Sequence, residues 1–481
     1  MYDIAIVGGG VVGTSIAREL SKYDLNTVLI EKESDVSTGA SKANSGIVHG
    51  GYVGTAGTLK GELCIKGNQA FKKLDSELNF GFRRPGALVI GFDEQDKKEL
   101  EKIYENALAV GHEEDDIEMI DKSKIKSLEP NINDEVETAF YCHSVGVDST
   151  YEMVVALAEN AVKNGVELIL SSEVTNINNK NEYFEIITDK QKYKSKYVIN
   201  AAGTGSEKVA AYVGADDFSI TPRRGQYILF GKDQADLVDK VIFQTPTPET
   251  KGVLVTTTYH GNFMIGPNSE EIDKPENIDT TIEELEKIIE TARKSIPDFD
   301  LKRALTTFSG VRASSDRNDF IIEKSEISNF INVAGIDSPG LTASPAIAES
   351  VIEILKDLGI NLNKNKDFDP DREPIIKVKD KNFDGEIDAD DPQKNIICRC
   401  ETVTEAEILE ALNRNIPIKT ADAIKRRTRA GMGNCQANFC RSRVKKLIAD
   451  YYNDEPEEIE VRDEAEKPQR VSINKIREIN K

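Results

Sequence analysis

Hydrophobic positions along the chain fall into two rhythms that predict two kinds of structure. "YDIAIV" at the start is a short buried-strand run. It is followed by "GGGVVG" and then by "VVGTSIARELSKY", where apolar residues recur at helical spacing. "NTVLIEK" supplies a second strand. The same strand, small-residue turn and helix recur in "YVINAAGTGSEKVA" (Tyr197 to Ala210) and in "FINVAGIDSPGLTASPAIAESVIEIL" (Phe330 to Leu355). Repeated units of this kind predict an α/β fold. Between them, residues 81–142 and 221–300 hold period-two runs such as "GQYILF" and "GVLVTTTYHGNFMIG". Charged helical stretches such as "TIEELEKIIETARKSI" interrupt these runs.

The first unit carries chemistry. Gly8, Gly10 and Gly13 stand in G-x-G-x-x-G register between a strand and a helix. Gly8 permits the turn, Gly10 lets the backbone approach a pyrophosphate, and Gly13 lets helix and strand pack closely. Glu31 ends the second strand and is placed to bind a ribose hydroxyl pair. The two further strand–turn–helix units suit a long, extended cofactor, so FAD is preferred over NAD. The helix after Gly335 and Gly340 can point its N-terminus at the anionic edge of a reduced flavin.

Composition narrows the class. The chain has 481 residues, enough for two or three domains, with 39% hydrophobic and 30% charged residues, as in ordinary globular protein. A formal net charge of -22 argues against a nucleic-acid or anionic-membrane binder. No apolar run reaches membrane-spanning length, and the N-terminus enters a strand pattern without a basic leader, so a cytoplasmic location is expected. Four of the six cysteines form C-x-C (Cys398, Cys400) and C-x4-C (Cys435, Cys440), a pattern of metal ligands for zinc or a 2Fe-2S cluster. Zinc favours wider spacing in the first pair. Lys425, Arg426, Arg427, Arg429, Arg441 and Arg443 lie around the second pair, where they would offset the charge of an anionic cluster.

Over about residues 1–360 the chain resembles the FAD-dependent D-amino-acid-oxidase and glycerol-3-phosphate-dehydrogenase superfamily. "TGASKANSGIVHGGY" is similar to its flavin-contacting loop, and "TTFSGVRASSDRNDFIIE" to the strand that brings a substrate arginine to the flavin. From residue 394, "ICRCETVTEAEI" and "RRTRAGMGNCQANFC" resemble the bacterioferritin-associated-ferredoxin-like 2Fe-2S module fused to anaerobic glycerol-3-phosphate dehydrogenase large subunits. The loop "NSGIVHGGY...GTLKGELCIKGN" also resembles L-2-hydroxyglutarate dehydrogenases.

The resemblance implies a Rossmann-like FAD-binding domain with a discontinuous antiparallel-sheet substrate domain, plus a small, mainly helical cluster domain. FAD-binding segments are placed at about 1–80, 143–220 and 305–360, and substrate-domain segments at 81–142 and 221–304. An acidic linker follows at 361–393, the cluster domain at 394–455 and a charged tail at 456–481. The resemblance adds Ser41, Asn44, Ser45, Gly46, Val174, Ala202, Gly203, Gly335, Gly340, Leu341 and Thr342 to the cofactor-binding residues.

Alcohol oxidation by a flavin needs a base for the hydroxyl proton and a clamp for an anionic tail. His49 in the flavin loop and His260 in "TTYHGNF" are the candidate bases. Arg312, and Arg317 beside it, are the candidate clamps, with Arg223 and Arg224 as further arginines. "DKNFDGEIDADD" (380–391) follows a calcium-loop spacing, but Asp391 stands where the loop wants a bidentate Glu, Pro392 follows, and an acidic linker explains the same residues.

The leading reading is an FAD enzyme that oxidises sn-glycerol 3-phosphate to dihydroxyacetone phosphate. Electrons leave through the cluster to an acceptor subunit or quinone, and membrane association is peripheral, through partners. The alternatives are an L-2-hydroxyglutarate or other 2-hydroxy-acid dehydrogenase and a non-catalytic electron-relay subunit.

Overall fold

The structure, a computed structural model, describes residues 1–246, 252–376, 387–463 and 467–479. Tyr2–Val7 lies at the centre of an eight-stranded sheet. It pairs in parallel with Thr27–Ile30 on one side and Lys192–Asn200 on the other, and Glu167–Ile169 and Phe330–Ala334 extend the parallel region. These strands read as near-continuous Val, Ile and Leu because both faces are covered. On one face Ile16 and Leu20 of helix Val11–Leu20 share a core with Ile347 and Val351 of helix Gly340–Asp357. Parallel strands place all their carboxyl ends on one edge, so Gly8, Glu31, Ala202 and Gly335 gather there, where such sheets bind ligands.

Two glycines are required by packing. Gly8 has φ +111°, and a side chain there would meet the Ala201 carbonyl oxygen at 2.4 Å. A Cβ on Gly13 would lie 1.9 Å from the Gly8 carbonyl oxygen, so the helix can leave the strand at this angle only with glycine.

The second sheet has nine strands and is mostly antiparallel. Its apolar face holds Leu88, Ile90, Ile228, Phe230 and Phe263, and helix Ile282–Ser295 covers it with Leu285, Ile288, Ile289 and Ala292. Glu283 and Glu284 in the first turn of that helix and Arg293 and Lys294 in the last complement its dipole. One boundary differs from the sequence reading. Ala304–Ser315 falls in the segment 305–360 expected to bind cofactor, yet it pairs along its length with Ile220–Phe230 and belongs to the substrate sheet. The strand is long enough to reach from that sheet to the flavin loop, which joins the two functions.

The C-terminal unit is a short hairpin, Ile396–Cys398 with Val403–Thr404, followed by helices Glu405–Leu412, Ala421–Thr428 and Arg441–Tyr452 around a core of their own. A capping box between Thr404 and Glu407 starts the first helix.

Two segments are more structured than their charge suggests. In the linker, Arg372 pairs with buried Glu159 at 2.5 Å, and Ile375 enters the core of the C-terminal unit. The tail forms helix Ile473–Glu478, whose Ile476 is fully buried in the core of the substrate sheet. Three apolar residues at helical spacing, Ile473, Ile476 and Ile479, outweigh the tail's charge. Residues 380–386 of the calcium-like sequence lie outside the described residues. Among the described residues no helix is long and apolar enough to cross a membrane.

Candidate active site

The glycine turn, the end of the second strand and the loop after it make one continuous cradle. Glu31 is buried, and its carboxylate accepts the Gly9 N–H at 2.6 Å and the Glu33 N–H at 2.9 Å. Burial pushes its pKa up, and the two amides oppose that shift. Each oxygen keeps a further lone pair, as a ribose diol requires. Ser41 accepts the Val11 N–H at 2.9 Å, so the loop is tied to the N-terminus of the first helix, beside Gly10. Asn44 shapes the next turn: its side-chain oxygen accepts the Gly46 N–H at 2.7 Å. Val174, itself buried, begins an edge strand just past Ser172, whose N–H reaches the Glu31 carbonyl.

Ala202 and Gly203 form the turn after Lys192–Asn200, with φ +59° at Gly203 and open space where its Cβ would point. Gly335 closes the third strand, and Gly340, Leu341 and Thr342 open the long helix. Thr342 Oγ1 accepts the His49 N–H at 2.8 Å, which fastens that helix to the flavin loop.

A cavity of about 300 Å³ lies on this loop, lined among others by Asn44, Ser45, Gly46, Asp148, His260 and Ser309. Two buried oxygens on its wall, Asp148 Oδ2 and Ser309 Oγ, have no hydrogen-bond partner among the described residues. A bound polar ring system would supply one, so the residues fit a flavin. Burial, aided by Glu152 and Asp75, pushes the Asp148 pKa up to about 8; at neutral pH it is mostly a hydrogen-bond donor.

The candidate catalytic residues are placed as follows. His260 lines the cavity, and its Nε2 meets Glu152 Oε1 at 2.5 Å. Burial lowers the His260 pKa; Glu152 opposes the change and Arg429 adds to it. His49 packs its ring on Phe243, with centroids 5.6 Å apart. Arg312 sits on Ala304–Ser315, two residues beyond Gly310. A Cβ on Gly310 would lie 1.9 Å from the Ala43 carbonyl oxygen, so this strand rests directly on the flavin loop. The Arg312 guanidinium donates to the Asn268 carbonyl at 2.7 Å and crosses over Gly225, whose missing side chain leaves room for it.

Arg312 and His49 stand just behind the cavity and are not among its lining residues, and Arg317 lies farther off. It pairs at the surface with Asp217 at 2.8 Å and Glu323 at 2.9 Å. Arg224 is buried and held by Glu270 and Asn277, and Arg223 is half-exposed opposite Glu271.

The four cysteines converge as two pairs. Cys398 neighbours Cys440, and Cys400 neighbours Cys435. The neighbouring Cys440 thiol is the chief cause holding the Cys398 pKa down at about 6. The Gly431 N–H reaches Cys398 Sγ at 3.4 Å and also favours its thiolate. Among the described residues the only trio of metal-ligand atoms within 4.8 Å of one another is His112, Asp116 and Cys142; no three of the four thiols meet around a point. One tetrahedral zinc would hold all four sulfurs roughly 3.8 Å apart. Two pairs of thiols would hold a 2Fe-2S cluster.

Sequence reading missed the seam that joins the two halves. Asp35, fully buried on the loop after Glu31, takes a bidentate contact from Arg427 (2.6 and 2.8 Å) and a second bond from Arg426, which also pairs with Asp463 at 2.6 Å. Arg429 bonds Glu401, next to Cys400, at 3.0 Å and the Tyr151 hydroxyl at 2.7 Å. The basic run is thus largely consumed in docking the cluster unit, with its offset of cluster charge secondary.

Taken together, a dinucleotide cradle, a cavity on its flavin side and a cysteine-bearing unit ion-paired to the same loop define a flavin- and iron–sulfur-dependent oxidoreductase. The comparisons agree. Residues 3–354 match the FAD dependent oxidoreductase family, and the chain belongs to it; residues 396–450 match the BFD-like [2Fe-2S] binding domain. FAD and a 2Fe-2S cluster are therefore its cofactors.

The chain is 46% identical over 464 residues to a glycerol 3-phosphate dehydrogenase of Caloramator mitchellensis, covering 96% of each chain. It is 32% identical to an L-2-hydroxyglutarate dehydrogenase of Caenorhabditis elegans, over 56% of this chain and 63% of that one. Among solved structures it is similar to the FAD-bound L-alpha-glycerophosphate oxidase of Mycoplasma pneumoniae (TM-score 0.74, 30% identity, 77% of this chain and 98% of that one).

Proposed function

We propose that the protein oxidises sn-glycerol 3-phosphate to dihydroxyacetone phosphate and delivers the electrons to a protein or quinone acceptor. Bound FAD supplies acceptance of a hydride, and the cluster supplies one-electron exit. The observation that carries the substrate reading is the position of Arg312, directly after Ser309, Gly310 and Val311, which line the cavity. The strand bearing it touches the flavin loop at Ala43, and its planar fork lies over Gly225 with one bond to the Asn268 carbonyl. Further donors on the fork remain to clamp a phosphate. The likeness to a glycerol 3-phosphate dehydrogenase over 96% of both chains supports phosphate over carboxylate.

The chain's own groups handle the proton. His260 is half-buried at the cavity wall with its pKa lowered, and Glu152 beside it can take or orient its ring proton. His49 is held by Thr342 on the flavin loop, so both histidines are fixed by elements that also hold the cofactor. Exclusion of water falls to the substrate sheet, with Phe308 stacked on Tyr227 at 4.7 Å beside Gly310.

An anaerobic panel of glycerol 3-phosphate, L-2-hydroxyglutarate and unphosphorylated glycerol, followed at the flavin absorbance band, tests this. Rapid bleaching by glycerol 3-phosphate, slowed at least tenfold in Arg312→Ala and partly restored in Arg312→Lys, is expected. Bleaching by L-2-hydroxyglutarate alone would replace the substrate, and bleaching by none would leave an electron-relay subunit.

A further inference from the structure

Most of the basic residues around the second cysteine pair are accounted for. Arg426 and Arg427 are spent on Asp35 and Asp463, Arg429 on Glu401, and Arg443 on the Ile396 carbonyl and Asn395 Oδ1. Lys425 and Arg441 are used differently. Together with Arg462 and Arg470 they line a second cavity of about 230 Å³, which reaches Cys440 on one side and meets the flavin-side cavity at Lys425, Arg462 and Arg470 on the other. Among the described residues, four cations face it with a single carboxylate, Asp422, and none of the four makes an ion pair.

This arrangement is unusual in a chain of net charge -22, where a surface carboxylate is the default neighbour of any cation. Burial holds the Lys425 pKa below the usual lysine range; Arg470, Arg462 and Arg426 depress it further, against Asp422. Lys42, on the flavin loop nearby, is pushed down to about 7 by burial and by Arg426. Clustered cations that repel one another in a partly desolvated space are stabilised by an anion between them. Three guanidinium forks and an ammonium suit a tetrahedral oxyanion with two charges. A half-open space of about 230 Å³ has room for a phosphate or small phosphate monoester.

We propose that this cavity binds a phosphate-class dianion beside the Cys440 ligand, and that its occupancy lowers the reduction potential of the cluster. Reduction adds one negative charge to an already anionic centre, and a dianion next to Cys440 opposes that charge. The site then couples phosphate or phosphate-ester concentration to the ease of electron exit. It holds whichever alcohol reduces the flavin, so it stands or falls separately from the substrate reading.

The test uses the holoprotein with both cofactors, at constant ionic strength set with chloride. Calorimetric titration with inorganic phosphate should give one site per chain. An electron paramagnetic resonance redox titration should show the cluster midpoint moving to more negative potential at saturating phosphate. Arg470→Gln, at the exposed rim, should weaken phosphate at least tenfold and shrink that movement with cluster and FAD content unchanged; Lys425→Ala should do the same from within. Displacement of bound phosphate by glycerol 2-phosphate assigns monoesters as the physiological source, and its failure assigns free phosphate. Absence of phosphate binding, undiminished affinity in Arg470→Gln, or a midpoint indifferent to phosphate overturns the proposal.

Discussion

Replacing Asp35 by alanine should loosen the cluster unit from the flavin loop and leave each cofactor in place. Among the described residues Asp35 is the sole carboxylate partner of Arg427, whose side chain is 0% exposed; Arg426 retains Asp463. Its pKa falls from the usual 3.8 to about 2, against the effect of burial, because Arg427 and Arg426 hold it ionised. At about 1.36 kcal/mol per pH unit, that depression is roughly 2 kcal/mol of docking stability. The folded value lies below the unfolded one, so this contribution is complete above the ordinary carboxylate range and is lost as the pH falls from about 4 to about 2.

Truncation costs more, about 3–5 kcal/mol, because it also strands the buried Arg427 charge. Amide hydrogen exchange in helix Ala421–Thr428 should therefore accelerate between roughly 10²- and 10⁴-fold in Asp35→Ala. FAD content and single-turnover bleaching should persist. The double variant Asp35→Leu, Arg427→Met removes both charges and should recover much of the protection. Acceleration below tenfold in Asp35→Ala, or a double variant no better than the single, would refute the argument.

Two further outcomes test the cofactor sites. Glu31→Ala removes the acceptor of the Gly9 and Glu33 amides and of the ribose diol, so FAD affinity should fall by about 1.5–3 kcal/mol, read as FAD retained after dialysis. Cys435→Ser breaks one sulfur pair without touching the glycine turn. Iron content should drop while FAD stays bound and anaerobic bleaching survives, but turnover with the physiological acceptor should collapse.

What could be read in the sequence is what depends on local geometry. The Gly8, Gly10, Gly13 turn and Glu31 follow from strand–helix contact rules acting within about thirty residues, and the two cysteine pairs from ligand spacing. What escaped depends on contacts far apart in the chain. Asp35 and Arg427 are 392 positions apart, and each looks like one of many surface charges until the fold buries both. By sequence Ala304–Ser315 groups with the cofactor segments, but its hydrogen bonds belong to the substrate sheet and it is Gly310, at mid-strand, that rests on the flavin loop. Arg317 shares that stretch with Arg312, but it lies past the strand's end, where the chain turns back to the surface. The tail's charge hid the isoleucines at helical spacing that seat it. Asp148 carried no motif, and only its place against Gly46 makes it part of the site.

The seam also gives the cluster unit a means to influence proton chemistry at the flavin, which leads to a final prediction. Arg429 bonds the Tyr151 hydroxyl, and Tyr151 is followed by Glu152, the partner of His260. The guanidinium charge adds to burial in holding His260 below its ordinary pKa, while Glu152 pulls the other way. Removing the charge and keeping a hydrogen-bonding group, as in Arg429→Gln, should therefore raise the His260 pKa. The acid limb of substrate-driven flavin reduction should move to higher pH in step with it. The chain has only four histidines, so the imidazole can be followed directly by nuclear magnetic resonance of ring-labelled histidine, with His260→Asn as the assignment control. A His260 titration unchanged in Arg429→Gln would show that burial alone sets its protonation, and that the cluster unit is joined to the active site mechanically but not electrostatically.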